Sequence, residues 1–390
     1  FSADRYKLIQ ELSSRLNLPL PPEAEAFFQA ALAGDWTATS NQFAELMSDD
    51  VGQTFRRPYL RNELWAPILE TYGVWEVWKG LKEDSGLMSL FCEPILASMP
   101  EGSIYFGGTD SGRFVLTAVN ALKDPPPLFC LTQNALADNS YIAYLRAVYG
   151  DRIWLPSQEE STASFRQYVN DVEAGHIPAS AGIKIEDGKV SIQGVDGVMQ
   201  INGNLAQLIF DHNKDAHPFF VEESYVLNWM YPYLEPHGLI LKMNADPLPE
   251  LSPETIARDR QFWDETEAKL TALPGFAGNE DARKIFSKLR SAGAGVYEYR
   301  KLDAEAEAAF RQAIRLCPSS PEANFRLADM LVARQRPSEA VQVMEDYLST
   351  NPEPDQAARA KEYLQKLKET QKQNNQPGDA GDPRPSTQAS

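Results

Sequence analysis

Cysteine is scarce in this sequence, with three residues at positions 92, 130 and 317 of 390. Their wide separation supports neither a disulfide framework nor a CxxC metal site, and Cys130, inside the apolar run 127–131, reads as a small buried hydrophobe. Histidine is limited to His176, His212, His217 and His237. His212 and His217 are five residues apart and so do not share the helical face that an HExxH zinc site uses; neither a metal nor a cofactor is expected. No run of about 18 apolar residues occurs, which excludes a bilayer-spanning helix within the chain. The longest candidates, 87–99 and 114–122, are broken by Glu93 and Asn120. Basic residues are in deficit, 37 Lys and Arg against 55 Asp and Glu, for a net charge of −18. A nucleic-acid binder needs the opposite balance to displace counterions from phosphates. No GxSxG elbow is present, so no triad has a local signature.

What is there suits a globular protein: 43% hydrophobic and 24% charged residues are enough for a core. The length implies two or three domains. Four regions are expected: helices over 1–84, an α/β domain over 85–250, a helical repeat-like region over 251–372 and a disordered tail over 373–390. The first residue is Phe1, with neither a basic nor an apolar leader pattern behind it. A processed leader or a larger upstream segment is therefore expected.

An internal repeat stands near the C-terminus. Ala294, Ala306, Phe310, Ala313 and Pro318 are followed 34 residues later by Ala328, Ala340, Met344, Tyr347 and Pro352. Small residues allow paired helices to approach, larger ones fill the groove between hairpins, and each proline ends a helix. This pattern over 287–352 resembles the tetratricopeptide repeat, with Met344 and Tyr347 standing where an aromatic and an alanine are usual. Residues 356–371 read as a polar capping helix. Near the other end, Pro22 precedes an amphipathic run through Phe27, Phe28, Ala31 and Leu32, and Gly34-Asp35 breaks it. Trp65, Leu69, Tyr72, Trp75 and Trp78 then recur at spacings of three and four, a stripe expected in a core.

Between 87 and 246 short apolar runs at 103–106, 128–132, 153–155, 219–221 and 239–243 alternate with helix-length segments. That alternation predicts βαβ units around a largely parallel sheet. Ile183, Ile185, Val190 and Ile192 alternate around Asp187-Gly188 and predict a β-hairpin insertion.

Ligands of open α/β sheets bind beyond the carboxyl ends of strands. The first such loop is Gly107-Gly108-Thr109-Asp110-Ser111-Gly112-Arg113. Its glycines permit close backbone approach and its helix start favours an anion, although it is neither GxGxxG nor a P-loop. Asp110 suits sugar hydroxyls or a cation and Arg113 a phosphate or carboxylate; the alternative is an N-cap and an ordinary ion pair. Asn134 and Asp138 follow the next strand, with Asp138 or Asn139 also a good N-cap. Glu222-Glu223 follows 219–221, and adjacent carboxylates on an extended chain face opposite ways, so one at most enters a shared site. The candidate ligand-binding set is Gly107, Gly108, Asp110, Arg113, Asn134, Asp138 and Glu222, with no catalytic residue identified.

The turn YFGGTDSGRF, the second strand and turn CLTQNALADNSYIAYL, and the terminal repeats together resemble the soluble C-terminal region of bacterial protein O-mannosyltransferase-like membrane proteins of the GT-C class. The resemblance covers 85–352. It implies a recognition portion on the extracytoplasmic face of a membrane, attached through a segment absent from this chain. Catalysis in that class uses an acidic residue between membrane helices, so no residue here inherits it. Two other readings stand beside it: a free-standing enzyme or sugar- or nucleotide-binding protein with its site at 107–113, placed in the cytoplasm, and a scaffold acting through its repeats. Partners expected are a protein on the repeats and a sugar or phosphate ligand, without nucleic acid.

Overall fold

The computed structural model describes residues 1–48, 63–107, 111–123, 127–176, 183–186, 189–192, 195–222 and 227–374. The chain divides into two compact units, Phe1–Ile285 and Phe286–Ser390.

The first unit opens with four helices, α1 (Ser2–Leu16), α2 (Pro22–Ala33), α3 (Trp36–Ser48) and α4 (Trp65–Gly80). Proline starts α2, where its missing N–H costs nothing, and Gly34, at φ +74°, ends it in the left-handed region. The aromatic stripe is an interleaf between α3 and α4: the Phe43 and Tyr72 rings stack at 3.7 Å and Trp36 lies over both Tyr72 and Trp75. Arg5 of α1 donates to the buried Glu70 of α4 at 2.6 Å. Asp84 caps α5 (Ser85–Ser98) by accepting from the amides of Gly86 and Leu87. Further on come α6 (Ser111–Asn120), α7 (Asn139–Tyr149), α8 (Gln158–Glu173), α9 (Val195–Asn213) and α10 (Pro253–Ala272). Gly73 of α4 lies flush against Phe114 of α6; a Cβ there would sit 2.4 Å from the ring.

Among the described residues the main sheet has five strands: β1 (Ile104–Gly107), β2 (Phe129–Thr132), β5 (Phe219–Val221), β6 (Leu234–His237) and β7 (Ile240–Met243). Their order is β2-β1-β5-β7-β6. β1 runs parallel to both β2 and β5, whereas β7 is antiparallel to β5 and β6 to β7. The sheet is mixed, which corrects the largely parallel arrangement expected. Parallel neighbours need long crossovers, and β6 and β7 are joined by Gly238 and Leu239 alone, with Gly238 at φ +67°. β6 escaped the sequence reading because Pro236 lies inside it, a residue tolerated on edge strands. The hairpin insertion is present as β3 (Ile183–Glu186) paired antiparallel with β4 (Lys189–Ile192) in its own two-stranded sheet; its Asp187-Gly188 turn lies outside the described residues.

Residues 153–155 form no strand, a second correction. The Trp154 N–H donates to Asn213 Oδ1 at 2.8 Å and its carbonyl accepts from Asn213 Nδ2 at 3.0 Å. A side-chain amide has taken the groups a neighbouring strand would need.

The second unit contains α11 (Glu280–Tyr299) from Phe286 onward, α12 (Asp303–Leu316), α13 (Pro321–Ala333), α14 (Pro337–Ser349) and α15 (Pro354–Asn374). Ala294, Ala306, Ala328 and Ala340 are fully buried, as are Phe310 and Met344. The 34-residue period is that of a stacked helix pair, its small residues lying at close crossings. Residues 373 and 374 of the expected disordered tail are instead the last of α15, and 375–390 lie outside the described residues.

Candidate functional site

The register of the parallel strands sets three chain ends side by side. Gly107 pairs with Thr132 on one flank, and on the other Phe106 pairs with Val221, with the Glu222 amide donating to the Phe106 carbonyl at 2.9 Å. β1 lies between β2 and β5, so the chain moves to opposite flanks of β1 in successive connections. Such a reversal marks the crevice where open α/β sheets take ligands.

Glu222 is 3% exposed at this edge. Its carboxylate lies near Cys92 of α5, whose thiol is pushed up to about 12 by burial and by the charges of Glu222 and Glu93. A thiol so held is protonated at neutral pH and chemically quiet. Across β1, the segment after β2 is fixed by two buried side chains. The Thr132 amide donates to the Tyr141 hydroxyl at 2.7 Å. Asn202 of α9, fully buried, accepts from the Ala137 amide at 2.6 Å and donates to the Asn134 carbonyl at 2.9 Å. Asn202 is a positioning residue that the sequence reading missed; its isolated place in a helical segment carries no local signal.

Of the expected site residues, Gly107 ends β1, Glu222 directly follows β5 and Asn134 lies two residues beyond β2, all at the carboxyl ends of the parallel strands. Asp138 instead caps α7, accepting from the Ser140 amide at 2.8 Å and hydroxyl at 2.7 Å, which is the N-cap alternative. Arg113 is in α6, its side chain outside the described residues; Gly108 and Asp110 also lie outside them.

Three of the four histidines serve backbone or packing roles, and the exposed His176 lies 3.5 Å from Asp171. His217 Nδ1 is 2.7 Å from the Gly102 carbonyl, His237 Nε2 is 3.0 Å from that of Ser98, and His212 stacks on Trp154 at 3.9 Å. No metal-binding group of His, Cys, Asp and Glu occurs among the described residues.

In the second unit, α11, α13 and α15 form one layer and α12 and α14 the other. Arg326 of α13 reaches Glu298 and the Ser291 carbonyl of α11. Phe325 of α13 packs on Tyr363 of α15 at 5.6 Å, with Arg359 over its ring and the Tyr363 hydroxyl on Asp329. Burial and the Asp329 carboxylate raise the Tyr363 phenol. The other layer carries ion pairs linking Glu307, Arg311, Arg336 and Glu339.

A tetratricopeptide-repeat family model matches residues 304–367. This stretch is a tetratricopeptide-type repeat. Comparison with curated proteins and with solved structures returns no match, and the O-mannosyltransferase resemblance gains no support from either. Among the described residues no helix is long and apolar enough to cross a membrane.

Proposed function

We propose that this protein acts through protein–protein docking, with the layer formed by α11, α13 and α15 as the contact face. The match to the repeat family carries the reading, and the chemistry of the two layers supports the choice of face. Phe325 and Tyr363 are half-buried and supply aromatic area, a common anchor of protein interfaces. On the opposite layer Glu307, Arg311, Arg336 and Glu339 are paired with one another. Quantitative affinity capture with the full chain tests this: Phe325→Ala with Tyr363→Ala should remove a defined set of partners, while Glu339→Ala on the other layer should retain it. Equal recovery by both variants would refute the choice of face.

A second role is favoured by the buried Glu222 at the strand reversal. In it the edge holding Gly107, Asn134 and Glu222, with the loop of Gly108, Asp110 and Arg113, takes a sugar or phosphorylated ligand. Thermal shift of wild type and Glu222→Gln against nucleotide-sugars and polyprenyl-phosphate headgroups tests it, a shared null response counting against it. A membrane-bound, glycosyltransferase-like context belongs to this second role and rests on the turn motif alone. Hydrophobic spans in the coding sequence upstream of Phe1 are its test.

A further inference from the structure

The β6–β7 hairpin and α10 enclose a groove of about 490 Å³ in the first unit, within the range of small-ligand sites. None of its lining residues belongs to β1, β2 or β5. In its wall Gly238 of the hairpin loop abuts the Phe262 ring of α10, a Cβ on Gly238 lying 3.4 Å from it, and the buried Thr255 and Asp259 of α10 also line it. On the strand side, Lys242 and Glu235 neutralise one another at 3.0 Å.

On the helix side neither Arg258 nor Glu265 is held in an ion pair among the described residues, Arg258 lying only in the wider field of Glu254 one turn earlier. Arg258 and Glu265 are both exposed on α10 and both line the groove. The Arg258 guanidinium donates to the Thr255 hydroxyl at 3.2 Å, and among the described residues no carboxylate lies within ion-pair distance of it. The Glu265 carboxylate accepts from the neutral Gln261 amide at 2.9 Å, again with no cation within that distance among the described residues. Seven residues of α-helix separate them, about 10 Å along the axis, with Phe262 between. An extended peptide of about three residues spans the same length.

We propose that this groove binds a short zwitterionic peptide laid along α10, its terminal carboxylate on Arg258, its terminal ammonium on Glu265 and its body over Phe262. Arg258 has the planar fork that matches a carboxylate. Strand addition to β6 is not the mode, because Pro236 removes a backbone donor from that edge.

Calorimetric titration of the full chain with triglycine, N-acetyl-triglycine and triglycine amide tests the proposal. Triglycine should bind saturably at millimolar concentration, and capping either end should weaken it roughly tenfold to a hundredfold, the usual loss for a hydrogen bond to a charged group. Arg258→Gln should bind triglycine and its amide equally; Glu265→Gln should fail to distinguish triglycine from the acetylated form. Both positions are exposed, so unchanged melting temperatures are expected and separate a lost contact from a lost fold. Absence of saturable triglycine binding, or binding indifferent to both substitutions, overturns the assignment.

Discussion

Asn213 holds Trp154 by both backbone groups, its Oδ1 accepting from the Trp154 amide at 2.8 Å and its Nδ2 donating to the Trp154 carbonyl at 3.0 Å. Asn120 does the same for Leu128, with bonds of 3.1 and 3.0 Å. Asn202 divides its two ends between Asn134 and Ala137. All three asparagines are buried, and each replaces a neighbouring strand for a loop that has none. Carboxamides suit this because they carry a donor and an acceptor with the geometry of a peptide group.

Asn213→Leu should therefore destabilise the first unit by about 1 to 3 kcal/mol, because it removes the partners of a part-buried backbone donor and acceptor. Urea denaturation measures this. A loss below about 0.5 kcal/mol, the usual ceiling for an unimportant surface change, would mean that water replaces the clamp.

Gly73→Ala should cost about 1 to 3 kcal/mol by overpacking the α4–α6 contact, since the new methyl meets the Phe114 ring. Phe114→Leu in the same chain should recover part of the loss. Additive effects in that double-mutant cycle would contradict the close approach.

Ala340→Leu is expected to disturb the second unit alone. Ala340 is fully buried and sits at a repeat position reserved for a small side chain, so the larger one should cost about 1 to 3 kcal/mol. Hydrogen exchange read by mass spectrometry should rise over 321–349 and stay unchanged over 104–132.

The start of α8 should lose stability in acid. Glu160 is held below the usual carboxylate range by the Ser157 hydroxyl and amide, in a capping box whose Ser157 amide donates to Glu160 Oε2 at 2.7 Å. A lowered folded-state value means that the contribution is full above the unfolded value of about 4.3 and disappears as pH falls through the folded one. Wild type should exceed Glu160→Gln in stability at pH 7, and the gap should narrow below about pH 4. A constant gap would assign the effect to helix propensity instead.

The 34-residue period was legible because it is written in side-chain size alone: Ala306 and Ala340 must be small wherever two such helices cross. The helices α6, α7, α8 and α9 were likewise readable as the helix-length segments alternating with apolar runs, and β1, β2 and β5 as those runs. The residues 153–155 mimic such a run, but their backbone partner is Asn213, about 60 residues away, and no local pattern encodes that pairing. β6 failed for the converse reason. Its Pro236 reads as a breaker, and the strand exists because β7 supplies a partner.

At the candidate site, the sequence placed Gly107, Asn134 and Glu222 at strand ends through the alternation of β and α segments. It left open what Asp138 does, since one carboxylate suits both roles; in the structure its Oδ1 takes the Ser140 amide and hydroxyl as the cap of α7. Composition, the deficit of basic residues and the repeat were determined by the sequence itself, because each depends on residue types and spacings along one chain. Strand order, the antiparallel β6–β7 edge, the asparagine clamps and the opposed charges of Arg258 and Glu265 along one groove depend on which distant segments meet. Tertiary packing decided these, since burial and hydrogen-bond satisfaction are summed over the whole folded chain.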